Sequence, residues 1–282
     1  GCSQFCAYCI VPYARGLEKN RDKEEVMKEV EAQIANGASE IVLLGQIVNK
    51  HPDFDEIVRR TCETPGVKRV RYTSPYPTFY SDTLLQLHET KENLCPHIHM
   101  PMQSGSTKVL KKMFRGYTAE QFKEFVDKIR ALSRPISITS DVIVWFCTET
   151  EEDFQETIDL VRYAKFDLIY MGIYSPRPWT IADRKFEDDV PKAIKKERRH
   201  RLNEVLKEVS AANNQAEIGT TKTVMIREIT DDKIIGYSEN MKQVIVDNWQ
   251  LMIDDGQLQT GQYIRVKITD VKSFSLYGEI VG

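Results

Sequence analysis

The sequence predicts a parallel α/β sheet, of open or barrel-like form, followed by a small all-β barrel. Short β-branched runs alternate with stretches of helical period over residues 1–190. Beyond Gly219 the helical period disappears, and strand-like segments are separated by Gly- and Asp-rich turns. A chain of 282 residues is long enough to bury one large and one small core.

The alternating region contains five helix-to-strand steps. The stretch "EEVMKEVEAQIAN" at 24–36 has apolar residues at helical spacing and stops before Gly37, and the β-branched run "EIVLLG" follows at 40–45. The same pattern predicts further helices at 53–63, 81–89, 106–114, 119–132 and 151–164, and further strands at 69–75, 97–104, 137–146 and 168–176.

A long charged helix is predicted to join the two regions. Residues 192–219 have helical period, and Lys192–Lys207 contains seven Lys or Arg against two Glu. Strand-like segments then follow at 221–229, 233–247 and 262–282. These patterns divide the chain into a core at 1–190, a basic connecting helix at 191–216 and a C-terminal barrel at 217–282.

The composition restricts the cellular compartment in which the protein can act and the partners that it can bind. The net charge is −3, so nucleic-acid binding must depend on local patches. No run approaches the roughly 18 apolar residues of a membrane span, and no signal segment opens the chain, so we expect a cytoplasmic protein. Three of the six cysteines lie within eight residues, which in a reducing compartment favours a metal site over disulfides.

Polar residues that follow the predicted strands are candidates for chemistry, because parallel α/β folds place their sites at the carboxyl ends of strands. These residues are Gln46, Ser74, Gln103, Ser104, Asp141, Glu149, Ser175 and Arg177. The opening loop "GCSQFCAYC" should follow a strand in the same way. That strand would precede Gly1, so we expect a first βα unit to be absent from these residues.

The opening loop predicts an iron–sulfur site. Cys2, Cys6 and Cys9 have CxxxCxxC spacing, which lets one short loop bind three corners of a 4Fe-4S cluster and leave the fourth iron open. The alternative is a structural zinc, whose fourth ligand would come from His51, His97 or Cys62.

Seven segments together resemble one enzyme family. In order they are "GCSQFCAYCIVPYARG", "LLGQIVN", "RYTSP", "PMQSGSTKVLKKMFRGYT", "TSDVIV", "ETEEDFQET" and "YSPRP". They resemble the radical S-adenosylmethionine (radical SAM) methylthiotransferases, in particular the branch that acts on isopentenyl-modified adenosine in tRNA. The last domain is similar to that family's RNA-holding TRAM module. The resemblance implies a partial (β/α)6 radical SAM barrel lacking its first strand, followed by a TRAM-like (OB-like) barrel.

The resemblance also implies two cofactors, a 4Fe-4S cluster on Cys2, Cys6 and Cys9 and S-adenosyl-L-methionine. It implies these cofactor-binding residues: Tyr8 near the adenine, Gln46 near the methionyl amino group, Gln103, Ser104 and Arg115 around the carboxylate and ribose, and Asp141 at hydroxyl groups. It implies no catalytic residue beyond the cluster ligands. Alternatively, Gln103 and Ser104 cap the helix that starts near Ser106, and Arg115 pairs with a surface acid.

The implied reaction adds a methylthio group to C2 of an N6-isopentenyl-modified adenosine next to the tRNA anticodon, a base that a loop can splay out. Related enzymes that act on threonylcarbamoyladenosine or on a ribosomal protein share the cysteine triad. A non-catalytic RNA-binding protein with a structural metal is the alternative from another class. The implied partners are the tRNA anticodon loop and a reducing electron donor such as flavodoxin, with no membrane association and a monomeric state.

RNA affinity is expected to rest on phosphate contacts from Lys and Arg, although a charge run is often only a solvated face. The candidates on the basic helix are Lys195, Lys196, Arg198, Arg199 and Arg201. Those on the barrel are Lys222, Arg227, Lys242, Arg265 and Lys267.

Two kinds of departure separate this chain from the family it resembles. The family's N-terminal domain, whose three further cysteines hold a second 4Fe-4S cluster, is absent, so we expect these residues alone to be incomplete for catalysis. The chain also has Trp145, Cys147, Thr148, Trp179 and Ile181 where the family usually has Gly, Pro, Gly, Gly and Pro. An indole at 145 would crowd the cofactor or turn outward into the interface with a neighbouring segment, and we predict that Trp145→Gly leaves cofactor binding equal or tighter.

Overall fold

The computed structural model describes residues 1–247 and 258–281. Its helices are α1 (Val11–Arg15), α2 (Lys23–Ala35), α3 (Phe54–Glu63), α4 (Asp82–Thr90), α5 (Thr107–Lys112), α6 (Ala119–Arg130), α7 (Glu151–Ala164), α8 (Ile181–Lys185) and α9 (Lys192–Gln215). Its strands are β1 (Glu40–Leu43), β2 (Arg69–Tyr72), β3 (His97–His99), β4 (Ser137–Val144), β5 (Leu168–Ile173), β6 (Thr221–Ile229), β7 (Lys233–Ser238), β8 (Gln243–Asp247), β9 (Tyr263–Lys272) and β10 (Ser275–Ile280).

The five strands predicted for the first region are present among these residues, and all of their pairings are parallel. Strand β1 pairs with β2, and β3, β4 and β5 form a second sheet in that order. A bridge from Val70 of β2 to Leu94 links the first sheet to the segment that leads into β3. The strands end two to five residues before the predicted limits, because the residues that follow leave the sheet to form the strand-end loops.

Local signals explain where the main helices begin. Asp22 accepts hydrogen bonds from the first turn of α2, and capping boxes begin α6 at Thr118 and α7 at Thr150. The short helices α1 and α8 were not predicted, because five residues do not establish a period. In the part of the chain that the structure describes, no helix has the length and apolar character needed to cross a membrane.

The C-terminal region is a closed barrel with strand order β10-β8-β7-β6-β9, as predicted for an all-β domain. The segment predicted at 233–247 is the hairpin β7–β8, and the segment at 262–282 contains β9 and β10. Two glycines permit tight strand packing. A Cβ on Gly236 would lie 2.5 Å from the Met225 carbonyl oxygen, and one on Gly278 would lie 2.3 Å from the Lys267 carbonyl oxygen.

Two arginines of β2 fasten the barrel to the core. The guanidinium of Arg69 donates to the carbonyls of Thr223 (2.5 Å) and Tyr237 (3.1 Å), and Arg71 donates to that of Ser238 at 3.0 Å. Both arginines also lie within 4 Å of the Glu40 carboxylate. Because these groups are buried, separation of the two regions would leave charges without partners.

Candidate functional site

The cysteine loop is fixed to the core by backbone hydrogen bonds on both sides. The N–H of Ala7 donates to the Met113 carbonyl at 2.9 Å, and the Ala7 carbonyl accepts from the Ala182 N–H at 2.7 Å. The N–H of Cys2 donates to the Gly16 carbonyl at 3.1 Å and closes the loop on itself. The loop is therefore held between the segment after α5 and helix α8.

The three thiols of this loop are free, with Cys6 buried and Cys2 and Cys9 partly exposed. Among the described residues, no group of three or more His, Cys, Asp or Glu side chains is arranged to hold one metal ion. In a 4Fe-4S cube each thiolate binds a different iron, so its ligands stand farther apart than those of a single ion. Burial raises the pKa of the Cys9 thiol, and metal binding would displace its proton. The donor set thus fits an iron–sulfur cube.

The residues considered as a fourth zinc ligand are engaged elsewhere. The Nε2 atom of His51 lies 2.8 Å from the Arg21 carbonyl oxygen, and Nε2 of His97 lies 2.9 Å from the Thr139 hydroxyl. Cys62 is buried in α3, where desolvation raises the pKa of its thiol to about 12. Within the described ranges the structure supplies no support for the zinc alternative.

Arg115 faces the cysteine loop rather than a surface acid. Its guanidinium donates to the Cys6 Sγ at 3.3 Å and to the Pro101 carbonyl at 3.3 Å. It lies over the ring of Tyr76 at 4.3 Å and over that of Tyr117 at 5.2 Å, and its Nε donates to the Tyr117 hydroxyl at 3.1 Å. A fixed cation at this position can bind a carboxylate.

Tyr8 lies beneath the loop, against the end of β4. Its ring meets that of Phe146 edge to face, with centroids 6.4 Å apart. Burial raises the pKa of the Tyr8 phenol well above its usual value, although the nearby Arg115 opposes the shift. The ring packs against a small apolar cluster formed by Ala7, Val109, Met113, Phe146, Cys147, Tyr174 and Ala182.

The segment after β3 brings Gln103 beside Asp141. The N–H of Gln103 donates to the Asp141 carbonyl at 2.8 Å, and Gln103 adopts a left-handed backbone with φ 68°. Ser104 is turned inward, where its hydroxyl accepts from the Ser106 N–H at 3.2 Å and lies 3.4 Å from the Thr157 hydroxyl. The Ser104 hydroxyl thus makes local contacts just before α5, but among the described residues no side chain caps the first turn of that helix.

Asp141 lies within β4, three residues before the strand ends, rather than after the strand as the sequence predicts. Its carboxylate is partly exposed. It lies 3.3 Å from Nε2 of His99, whose Nδ1 lies 2.9 Å from the Thr139 hydroxyl. His99 was not a candidate in the sequence analysis. Strand side chains alternate between the two faces of a sheet, and this alternation in "HIH" places His99 on the same face as Asp141. This histidine orients the carboxylate.

Gln46 lies apart from these residues, exposed after β1. It lines a cavity of about 490 Å³ with Cys2, between the edge of β1 and helix α2. The remaining predicted cofactor residues lie outside that cavity lining: Tyr8, Gln103, Ser104, Arg115 and Asp141. Cys2 lies at this cavity with Gln46, whereas Cys6 lies at Arg115. The loop between the two cysteines therefore connects the two groups of predicted cofactor residues.

Sequence reasoning missed the aromatic pair that holds Arg115. Tyr76 lies in the segment after β2, and Tyr117 lies between α5 and α6, two residues after Arg115. Both therefore lie near segments that follow strands. The segments after strands were searched only for polar residues, whereas these tyrosines hold Arg115 through their ring faces and, at Tyr117, also through the hydroxyl. Glu149, which was considered, lies buried and bound to the Trp145 N–H at 2.9 Å, away from the cysteine loop.

The departures from the family pattern occupy unusual backbone positions. Trp145, Thr148 and Trp179 have φ of 68°, 68° and 73°, in the left-handed region that favours glycine. The indole of Trp145 is 0% exposed and belongs to the main core, whereas that of Trp179 is 74% exposed. The indole at 145 therefore turns inward into the main core, and the expectation that it turns outward is wrong, because the side chain is completely buried.

The comparison with known families decides the classification. A family model described as the radical SAM superfamily matches residues 1–161. The chain belongs to the radical SAM superfamily. A TRAM domain model matches residues 215–281. The two cofactors of a radical SAM protein, a 4Fe-4S cluster and S-adenosyl-L-methionine, are those that the sequence predicts.

Two curated relatives of this radical SAM chain carry the same name. The chain is 40% identical over 291 residues to tRNA-2-methylthio-N(6)-dimethylallyladenosine synthase from Bacillus cytotoxicus, a match that covers 100% of the chain and 56% of that protein. It is 36% identical to the protein of that name from Carboxydothermus hydrogenoformans, covering 100% and 64%. The chain thus spans a little over half of such relatives.

Solved structures share the radical SAM fold at low identity. A radical S-adenosylmethionine methyltransferase from Kitasatospora setae, with cobalamin and a 4Fe-4S cluster bound, aligns with TM-score 0.54 and 18% identity over 65% of this chain and 37% of that one. Methylornithine synthase aligns with TM-score 0.50 and 15% identity over 71% and 58%. Both likenesses concern the fold alone.

Proposed function

We propose that this radical SAM chain is the cofactor- and RNA-binding part of a tRNA methylthiotransferase. The reaction adds a methylthio group to C2 of an N6-isopentenyl-modified adenosine next to the anticodon. The observation that carries the proposal is the fixed cysteine loop with Arg115 at Cys6, in a chain that has a TRAM match and full-length similarity to the tRNA synthases named above. Those relatives favour this substrate over threonylcarbamoyladenosine or a ribosomal protein.

We propose the same domain boundaries, cellular location and partners that the sequence predicts. The core is 1–190, the connecting helix 191–216 and the RNA-binding barrel 217–282. The protein acts in the cytoplasm as a monomer, on the tRNA anticodon loop, with a reducing donor such as flavodoxin. The second 4Fe-4S cluster belongs to a domain outside these residues.

The five parallel strands are proposed as five of the six strands of a (β/α)6 barrel. Within the described residues β1 pairs only with β2, and its other edge borders the 490 Å³ cavity. Val42 and Leu44, 40% and 76% exposed, are apolar residues left open beside that edge. A first strand, running into the cysteine loop, would pair there and cover them.

The residues of the site fit the two cofactors in distinct ways. When bound, the cluster and S-adenosyl-L-methionine supply an electron and the radical chemistry. Cys2, Cys6 and Cys9 would hold the cluster, and Arg115, oriented by its two tyrosines, would bind the cofactor carboxylate. Asp141, oriented by His99, would accept hydrogen bonds from ribose hydroxyls. The other assignments are proposed as the family resemblance implies them: Tyr8 at the adenine, Gln46 at the amino group, and Gln103 and Ser104 near the carboxylate.

Replacing Cys6 tests the cluster directly. After anaerobic iron and sulfide reconstitution the parent chain should be brown, bind about four irons as one cube requires, and cleave S-adenosyl-L-methionine under reduction. We expect Cys6→Ala to lose the brown absorbance. The matched control is Cys95→Ala, a buried thiol remote from the loop, which should retain it. A colourless parent that binds zinc would instead support the non-catalytic metal protein.

The structure narrows the cations that could bind RNA. On α9, Lys195 pairs with Asp188, Arg198 with Glu149 and Arg201 with Glu151. On the barrel, Lys222 pairs with Glu217, and Lys242 with Asp167 and Glu217. The expectation that these five cations form an RNA surface is therefore weakened, because their charges are already neutralised within the protein.

We place the RNA contacts on Arg227 and Lys267 of the barrel. Both are exposed, and neither has an acidic partner in the described part of the chain. Lys196 and Arg199 of α9 are equally exposed and unpaired there, but they lie outside the TRAM match at 215–281. We expect the double variant Arg227→Ala, Lys267→Ala to reduce the slope of log affinity against log salt by about 2 for an anticodon stem-loop. The matched control is Lys196→Ala, Arg199→Ala on α9, which should change the slope little. The reverse ranking would move the RNA surface to the helix.

A further inference from the structure

The loop after β5 contains an indole that is exposed to solvent and stands on a strained backbone. Trp179 is 74% exposed, and its backbone has φ 73°. Exposure forgoes the burial that normally stabilises a large apolar side chain, and the left-handed backbone is unfavourable for a non-glycine residue. Backbone strain that persists in a well-packed protein often marks a site of function.

The loop nevertheless holds this residue firmly. Thr180 is fully buried, and its N–H and hydroxyl both donate to the Arg177 carbonyl, at 3.2 and 2.8 Å. The same hydroxyl accepts from the Asp183 N–H and caps α8. Pro176 and Pro178 each restrict φ. The indole is thus presented on a rigid turn rather than on a flexible one.

This turn is at the edge of the cysteine loop. Ala182, three residues after Trp179, donates its N–H to the Ala7 carbonyl at 2.7 Å, and Ala7 lies between Cys6 and Tyr8. The backbone path from the indole to the cluster ligands is therefore short. A molecule resting on Trp179 would lie beside the mouth of the candidate site.

The charges around the indole suit a polyanion. The loop and α8 carry Arg177, Arg184 and Lys185 against Asp183. The acids that follow α8 at 187–189 include Asp188, which pairs with Lys195. All three cations are exposed, and none forms an ion pair within the described ranges. An aromatic face beside unpaired cations is the combination that single-stranded nucleic acids bind, because the base stacks and the phosphate is neutralised.

We propose that Trp179 and Arg177 form a stacking platform for an unpaired RNA base at the mouth of the cysteine-loop site. The proposal rests on the proposed function and adds to it a residue that positions the substrate. Trp179 stacks on the base, and Arg177 contacts an adjacent phosphate. The platform favours single strands, since paired bases do not expose their faces.

Titration of anticodon stem-loop RNA against the full 282-residue chain tests the platform. We expect Trp179→Ala to weaken binding by about 10-fold and Trp179→Phe by less than about 3-fold, because a phenyl ring still stacks. A blunt RNA duplex should bind both variants and the parent equally. In a Trp249→Phe background, the stem-loop should quench the exposed Trp179 emission. Thermal unfolding of Trp179→Ala should match the parent, since the lost indole is exposed.

The outcomes separate the platform from the proposed function. If the parent binds the stem-loop and Trp179→Ala binds it equally, the platform is overturned while RNA binding stands. If the parent binds no RNA, both proposals fall. If Trp179→Ala instead abolishes self-association in sedimentation and leaves RNA binding intact, the indole serves a protein interface and the platform is again overturned.

Discussion

Trp145→Ala is expected to destabilise the protein by about 3 kcal/mol, and Trp145→Gly by only about 2 kcal/mol. Removing a buried Trp side chain opens a cavity that costs about 3–5 kcal/mol in general. Part of that cost is offset here, because the indole Nε1 is buried without a hydrogen-bond partner among the described residues.

The order of the two variants follows from the backbone. Residue 145 has φ 68°, which is strained for alanine and free of strain for glycine. Both substitutions leave nearly the same cavity, so their difference measures the backbone strain. In a helix or strand the order would be reversed, since glycine there destabilises by about 0.5–1 kcal/mol relative to alanine.

Urea unfolding of the three proteins, at constant pH and monitored by far-UV circular dichroism, measures these effects. Trp145→Phe is the control, because it fills most of the cavity and removes the unpaired N–H. Alanine equal to or better than glycine would show that the strain is absent. Because the indole lies in the core, we expect S-adenosyl-L-methionine affinity per folded molecule to be unchanged, within the earlier prediction of equal or tighter binding.

The fold could be predicted from the sequence where the signal was local. The five strands of the core and the main helices follow from hydrophobic period, and the cysteine spacing alone indicated an iron–sulfur loop. The contact of Arg115 with Cys6 joins residues 109 positions apart, and its geometry depends on Tyr76 from a third segment. No period or spacing records such a contact.

The basic helix α9 is a second case in which tertiary contacts could not be predicted from the sequence. Its charge run predicted a surface for RNA, but Arg198 and Arg201 fold back onto Glu151, about 50 positions earlier in the chain. The sequence shows how many charges a helix carries. It does not show which of them the tertiary structure neutralises.

Arg198→Met is expected to destabilise the protein by about 3–5 kcal/mol at pH 8 and by clearly less at pH 5. The Arg198 guanidinium is buried, 3.5 Å from the Glu149 carboxylate and 3.0 Å from that of Glu151, and it lies over the Phe154 ring at 5.4 Å. Among the described residues, its removal leaves the Trp145 N–H as the one hydrogen-bond donor to the buried Glu149 carboxylate.

The pH dependence follows from the protonation of Glu149. Burial raises the pKa of this carboxyl from its usual 4.5 to about 7, although the Trp145 N–H and Arg198 oppose the shift. Between pH 4.5 and pH 7 the folded chain therefore holds a proton that the unfolded chain has released. The unfolding free energy accordingly falls as the pH rises through this window. Without Arg198 the folded pKa rises further, so the window extends upward and the variant is increasingly destabilised with pH.

Urea unfolding of the parent and Arg198→Met at pH 5 and pH 8 tests this coupling. Arg201→Ala, which removes a more exposed partner of Glu151, should cost under about 1 kcal/mol at either pH. In a Glu149→Gln background the Arg198→Met effect should lose its pH dependence, because no proton is left to exchange. An equal destabilisation at both pH values in the Glu149 protein would show that the carboxyl is ionised throughout. The ion pair of Arg198 with Glu149 would then join α9 to the core independently of pH.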